Sequence, residues 1–502
     1  MFLYVRMLVL MGVTLYTSRE VLNVLGVVDF GVWNLIASFI LLFSFIQNSL
    51  SSTTQRFISY ELGKGNSKGI KSIFYNSNML YLVIFLIVIT LCECFGHYLV
   101  SNLKIPVDRI DAAYVAYHFV ILDFSFKILR LPFESIILSH EKMKFYAYIS
   151  ILEGGIALIA VFILKYLNFE GDRLILYAML LACSTVVVNL VYYRFCFNEF
   201  GVLFFKFHYD KEVFKSLFSF TSWALLGGMA TVLSIQGANI LINLFFGVVV
   251  NAAMSIANQA STAVNKFVYN FQLAYIPQIT KLYSMGDDLN LKKLIISSSK
   301  LSFLLCWILA FPLIFNIDYL FNLWLVTPPP YAKELCRLIL ITFLVEGAST
   351  PLWITVQAEG KIKKYQIVYS LIMLSNIALS YFFLSLGYNV YWVLYVKIFI
   401  SCLSFLVRLF YAAKTKVIEF GTFFVQVVLK CFGMVFFSSA LIIFFLSQLE
   451  DGIWKLILSS GLFFIMTCLI SFYFFFGIEE RTWVRGFIKK KIDFIRLVYA
   501  GK

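Results

Sequence analysis

The chain has 502 residues, of which 61% are hydrophobic and 14% charged, with 41 Lys and Arg against 27 Asp and Glu, a net charge of +14. A mean hydropathy of +0.88 excludes a soluble domain and points to an all-α polytopic membrane protein. In that setting the positive charge reads as loop bias toward the cytoplasm, and nucleic acid is not expected as a partner.

Fourteen apolar segments follow one another, and they predict about 14 transmembrane helices. They span roughly 1–17, 27–50, 74–100, 112–139, 145–165, 174–197, 217–246, 249–275, 295–316, 333–357, 365–386, 389–412, 421–447 and 454–477. The first lacks a basic leader and runs into Thr17-Ser18-Arg19-Glu20, so it is expected to be a helix of the bundle and not a cleaved signal. The longest connections are expected at 51–73, 198–216 and 276–294. With the tail after 478 they are rich in Lys and Arg. Placing both termini in the cytoplasm puts most of the basic residues inside, and shifting the topology by one helix reverses the bias.

The second segment carries Asn34, Ser38, Asn48, Ser52 and Gln55 on one face. The fourth carries Asp123, Lys127, Arg130 and Glu134, spaced by four, three and four. At about 100° per residue these form one stripe. One charge at the bilayer centre costs about 2.5–3.5 kcal/mol on insertion scales, so four cannot face lipid. Two readings stay open. Asp123–Lys127 and Arg130–Glu134 neutralise each other as i,i+4 pairs, or the stripe lines a polar pathway. The eighth segment has the widest polar face, with Asn251, Asn258 and Asn265 every seven residues and Ser255, Gln259, Thr262, Lys266 and Gln272 alongside. Arg6, Glu153, Glu346 and Lys397 are further ionisable residues within segments. Among the cavity candidates Arg6, Lys127, Arg130, Lys266 and Lys397 oppose Asp123, Glu134, Glu153 and Glu346. A slightly cationic lining favours an anionic cargo. Asp123, Glu153 and Glu346 are the candidates for exchanging H⁺ or Na⁺.

An internal repeat supports the architecture. At an offset of 221 positions Gly26-Val27-Val28 falls on Gly247-Val248-Val249, Gly65 on Gly286 and Lys71 on Lys292. The expected organisation is an N-terminal six-helix bundle (1–197), a cytoplasmic linker (198–216), a second six-helix bundle (217–412), an extra helix pair (413–477) and a basic cytoplasmic tail (478–502). Nine Cys are scattered, and the four His form no motif. No metal site and no cofactor are expected. There is no G-x-x-x-x-G-K-[ST] loop and no large outside loop with paired carboxylates. The chain is therefore read as a transporter and not an enzyme.

Five stretches carry a resemblance: SREVLNVLGVVDFGVWNL (18–35), TTQRFISYELGKGN (53–66), LPFESIILSHEKMKFYAYISILEG (131–154), VNAAMSIANQASTAVNKFVYNFQLAYIPQITKLYSMGD (250–287) and VQAEGKIKKYQIVYSLIMLSNIALSYFFLSLGY (356–388). In this order they resemble the O-antigen/polysaccharide flippases of the multidrug/oligosaccharidyl-lipid/polysaccharide exporter superfamily. The resemblance implies two six-helix bundles around a central cavity plus a helix pair, in a bacterial cytoplasmic (inner) membrane. It also implies movement of undecaprenyl-diphosphate-linked oligosaccharide from the inner to the outer leaflet during surface polysaccharide (O-antigen, capsule) synthesis. Expected partners are that lipid-linked oligosaccharide, membrane lipids, H⁺ or Na⁺, and polysaccharide polymerase machinery. Lys127, Arg130 and Lys266, with Arg6 and Lys397, would attract the diphosphate, and Asn251, Asn258, Gln259 and Asn265 the sugar hydroxyls. The alternative is an ion-coupled multidrug/cation antiporter of the same fold.

Overall fold

The computed structural model describes residues 2–41, 43–102, 105–167, 170–202, 209–325, 329–446, 452–477 and 481–482. The expected tail after 478 lies outside them except for Arg481 and Thr482. The side chain of Ser38 is likewise outside the described residues.

The described chain is all-α. The helices are α1 (Phe2–Leu41), α2 (Ser44–Gly63), α3 (Ser67–Asn102), α4 (Ile110–Ser139), α5 (Met143–Tyr166), α6 (Arg173–Phe200), α7 (Lys211–Met285) and α8 (Asp288–Phe315). They continue with α9 (Ile317–Trp324), α10 (Ala332–Glu359), α11 (Lys363–Ser385), α12 (Tyr391–Lys414), α13 (Phe420–Phe423), α14 (Lys430–Leu446) and α15 (Ile453–Ile470). Two π-helical stretches, Phe424–Leu429 and Ser471–Phe475, extend the last pair. Backbone groups in hydrocarbon must be satisfied within the segment, which is why apolar stretches of this length become helices.

Among the described residues, twelve helices are long and apolar enough to cross a membrane. The two expected segments missing from that group are the second and the eighth. They are helical too, but their polar residues lower the hydropathy, and only Val28–Ala37 registers as a shorter apolar helix at the second. Both begin after a backbone break. Gly26 has φ 79° and ψ 171°, and Gly247 has φ 75° and ψ −170°. Only glycine occupies that region readily, so the two aligned glycines do the same backbone work. Gly65 and Gly286, also aligned, are both left-handed, at φ 68° and 71°.

The expected long loops at 51–73 and 276–294 are corrected. Helix continues to Gly63 and to Met285, and the next helices start at Ser67 and Asp288. Hydropathy falls where a helix leaves the bilayer, but its hydrogen bonding need not stop there.

By contacts the chain divides into two units. The first comprises Met1–Gln236, Leu273–Asp287 and Gln357–Leu374, and the second Gly237–Gln272, Asp288–Val356 and Ser375–Lys502. In the first, α4 packs against α6, α3 and α2, while α1 packs on α5. Phe133 of α4 sits between Phe74 of α3 and Tyr193 of α6, with ring centroids 5.0 and 4.5 Å away. Among the spans of the first six-helix half α4 is the most enclosed, with 56% of its apolar window buried, against 67% for α10, which follows it by the repeat. One end of this unit is tied by Arg109. Its guanidinium bonds Asp29 of α1 through Nε (2.6 Å) and Nη2 (2.5 Å), and reaches Asp172 before α6 through Nη1 (2.6 Å). The other end is tied by Glu141, which accepts from Lys281 (2.7 Å) and Gln278 (3.3 Å) of α7.

Within the second unit α8 packs on α14 and α15. Trp307 of α8 donates to Ser438 of α14 (2.9 Å), and Asn316 donates to Ser459 of α15 (3.0 Å). The helix pair after 413 is thus joined to α8 by buried polar contacts as well as by packing.

Candidate functional site

The stripe on α4 is in place. Asp123 is bridged by Lys127 Nζ at 2.7 Å and accepts a second bond from Thr185 Oγ1 of α6 at 2.5 Å. The i,i+4 expectation therefore holds for this pair, and a third group from a neighbouring helix fixes it.

For Arg130 it does not hold. Arg130 Nη1 pairs with Glu153 Oε1 of α5 at 3.1 Å, and Glu134 makes no ion pair among the described residues. Pro132 lies between Arg130 and Glu134, inside the helix. It removes one backbone donor and disturbs the regular turn on which an i,i+4 contact depends. Glu134 remains half-buried and close enough to act on Arg130 and Tyr192 through its charge.

Around Arg130 the first unit gathers more than the spacing suggested. The guanidinium carbon lies 5.2 Å from the centre of the Tyr192 ring of α6, and that of Arg6 lies 4.5 Å from the Tyr146 ring of α5. Tyr146 and Tyr192 are themselves electrostatic neighbours. Four helices thus bring Arg6, Arg130 and Glu153 around two tyrosines. Arg6 Nε, Arg6 Nη1 and Arg130 Nε are buried and have no hydrogen-bond partner among the described residues. A buried donor on a charged group left unpaired costs more than the ordinary 1–3 kcal/mol or so of a neutral one. These donors call for water or an anion.

The second unit holds the other expected residues. On the C-terminal part of α7, Ser255, Gln259, Thr262, Asn265 and Lys266 are exposed, and Asn251 and Asn258 half-buried. Ala253, Ala257, Val264 and Val268 are buried on the opposite face. The polar arc is therefore turned away from the packed core of its own unit. Gln272, by contrast, is buried and donates to Thr350 of α10 at 3.3 Å, a structural role. Glu346 of α10 accepts from Ser401 of α12 at 3.3 Å and makes no ion pair among the described residues. Lys266 and Lys397 also lack an ion pair among the described residues.

Sequence reasoning missed Thr185, Tyr146, Tyr192, Ser401 and Arg408, whose Nη1 donates to Ser349 of α10 at 2.7 Å. One signal was available. Thr185 and Asn189 sit four apart on one face of α6, and Asn189 donates to Phe126 O of α4 at 2.9 Å. No group of three or more His, Cys, Asp or Glu among the described residues is placed to hold a metal.

Comparison with known proteins agrees with the architecture. A family model described as MatE matches residues 4–166. No curated protein matches the chain. Among solved structures, a MATE protein in complex with MaD3S superposes with a TM-score of 0.70 at 14% identity, covering 83% of this chain and 96% of that one. An outward-facing multidrug resistance MATE family transporter of the MOP superfamily gives 0.69 at 13% identity, covering 83% and 94%. A MOP superfamily transporter from Pyrococcus furiosus gives 0.71 at 14% identity, covering 83% and 95%. The chain has the fold of these membrane transporters.

Proposed function

We propose that the protein is a transporter that carries an undecaprenyl-diphosphate-linked oligosaccharide from the inner to the outer leaflet of a bacterial inner membrane, with both termini in the cytoplasm. The observation that carries this reading is the set of buried guanidinium donors on Arg6 and Arg130 that no group among the described residues accepts. Among the first unit's candidate residues within the spans the charges balance, with Arg6, Lys127 and Arg130 against Asp123, Glu134 and Glu153. The case for an anion therefore rests on unsatisfied donors and not on net charge. Arg is suited to a diphosphate because its planar fork meets two oxygens at once. The pairs with Asp123 and Glu153 hold the cations and moderate their pull, which favours release.

In this reading Lys127, Arg130 and Arg6 attract the diphosphate on the first unit, and Lys266 and Lys397 are the basic candidates on the second. Asn251, Asn258, Gln259 and Asn265 serve sugar hydroxyls. Glu346 exchanges H⁺ or Na⁺, because its partner is a hydroxyl and not a cation. The fold tolerates linings of opposite sign. For the Pyrococcus furiosus transporter a reverse polarity of the binding pocket is said to suggest a different function.

The second reading, an ion-coupled multidrug/cation antiporter, draws on the same Glu346 and on the multidrug resistance transporter of like fold. The test is complementation in a strain lacking its own flippase, reading surface polysaccharide and build-up of lipid-linked precursor. A triple Lys127→Ala, Arg130→Ala, Lys266→Ala variant at normal abundance should fail. Full activity would show that the stripe only neutralises itself. Drug resistance without polysaccharide export would favour the antiporter.

A further inference from the structure

A second basic site lies outside this stripe, within the first unit. A cavity of about 510 Å³ is bounded by the C-terminal part of α2, the start of α7 and the turn from α10 into α11. Its charged lining is Arg56, Lys215, Lys361 and Lys363, and among the described lining residues Glu359 is the one acid. Phe57, Phe220 and Trp223 supply the apolar wall.

The site is built. Arg56 donates from Nε to Gln357 O (3.0 Å) and from Nη2 to Ala358 O (2.8 Å), so it closes the C-terminal end of α10. Its guanidinium is packed by Phe57, Tyr60 and Phe220, with ring centres 4.6, 5.0 and 5.5 Å away. Two faces of the fork are thus committed, and Nη1 has no protein partner among the described residues. Gly360 permits this. Its φ is +87°, and a Cβ there would stand 2.6 Å from Arg56 Nη2. Lys363 is held over the Trp223 ring at 5.2 Å. The residues leading into α11 line the cavity, so the positive end of that helix opens on it as well. Lys215 and Lys361 are exposed and make no ion pair among the described residues. The adjoining cavity, which shares Phe57 and Ser216, is different in kind, since Glu61, Asp210 and Glu212 line it with Lys68.

We infer that the basic cavity binds a phosphate-bearing anion at the cytoplasmic membrane interface. Three observations point there. Four cations face one carboxylate, a fixed Arg presents a free edge, and a Trp–Lys pair sits at the ends of three membrane-spanning helices. Trp at the end of a span marks headgroup depth. Two sources share this chemistry, an anionic phospholipid headgroup of the inner leaflet and a soluble phosphorylated solute. The inference takes its cytoplasmic side from the proposed topology and stands apart from the cargo reading, since none of its residues belongs to the stripe.

The test is native mass spectrometry of the detergent-solubilised full chain titrated with phosphatidylglycerol, phosphatidylcholine or inorganic phosphate. Saturable phosphatidylglycerol binding that phosphate does not displace assigns the site to a lipid headgroup. Displacement by phosphate, with phosphate binding on its own, assigns it to a soluble anion. In either case Lys215→Gln/Lys361→Gln/Lys363→Gln should weaken binding on the order of a hundredfold. The three side chains are exposed, so the fold should persist, and an unchanged melting temperature without ligand checks that. A control, Lys364→Gln/Lys414→Gln/Lys416→Gln, removes the same charge from outside the cavity. Equal weakening in the control, or unchanged binding in the first variant, overturns the inference, as does the absence of saturable binding to any of the three probes.

Discussion

Helices α4 and α10 occupy corresponding places in the two halves and carry different chemistry. Each contains a proline near its C-terminal end, Pro132 and Pro351, and each bonds to a hydroxyl of the helix two further on. In α4 the carboxylate so held, Asp123, also has Lys127. In α10 the carboxylate, Glu346, has Ser401 alone among the described residues. A shared backbone plan thus carries a carboxylate bridged to a cation of its own helix in one half, and in the other a mid-helix carboxylate with no ion pair among the described residues. The comparison suggests a division of labour: cation-held groups are suited to anchoring an anion, and an acid without a cation is suited to changing its charge.

The largest effect that would break this comparison is at Arg130. Arg130→Ala should lower precursor flipping by about two orders of magnitude, as expected when about 2–5 kcal/mol of charged contact is lost. Arg130→Lys should retain more, because Glu153 keeps a cationic partner. Equal activity of both variants in the complementation assay would reduce α4 to scaffolding.

Next is the backbone that the halves share. Gly26→Ala and Gly247→Ala should each cost about 1–3 kcal/mol, since an L side chain is strained at these angles even though no heavy atom lies within 4 Å of the added Cβ. The thermal midpoint of each purified variant reads this. Similar drops mark the breaks as equivalent, and a drop at one alone would deny it.

Glu346→Gln should then change transport about tenfold and flatten its dependence on pH, as coupling of this kind typically amounts to. Asp123→Asn should weaken transport without flattening the profile. Flattening by Asp123→Asn alone would exchange the roles assigned to the two halves.

The smallest effect is at the corner between α4 and α5. Burial, with Lys281 and Lys142 nearby, holds the His140 imidazole below its ordinary range, against the opposing pull of Ile136 O and Glu199. The unfolded chain therefore takes up a proton first as pH falls. Stability is full above about pH 6.5 and declines below it. Since the ring is only partly buried, the loss should stay under about 1 kcal/mol. His140→Gln should remove that part of the acid dependence of the melting temperature. At the offset of 221 the second half has Lys361 at this place and no imidazole.

Much of this organisation was legible in the residues. The apolar segments, the paired glycines and the bridge from Asp123 to Lys127 depend on spacing along one helix or on repetition. The choice of Glu153 over Glu134 by Arg130 was not legible. It depends on how α5 is rotated against α4 and on what Pro132 does to one turn. Arg56 reads from sequence as one more cytoplasmic charge, and its bonds to two carbonyls some 300 positions later cannot be read from spacing. The long helical ends beyond the bilayer were hidden for another reason: hydropathy reports where the surroundings change, and not where hydrogen bonding stops.

The clasp at Arg109 bears on how the chain is made. Synthesis delivers Asp29 first, Arg109 about eighty residues later and Asp172 about sixty after that. The bidentate contact with Asp29 can close as soon as α4 begins to emerge, whereas the contact with Asp172 waits for α6. Asp172 is also the residue that caps α6, through the Leu174 amide at 2.9 Å. The act that starts the sixth helix is therefore also the act that completes the clasp at Arg109, whereas the opposite end of the unit, at Glu141, closes only once α7 has delivered Gln278 and Lys281.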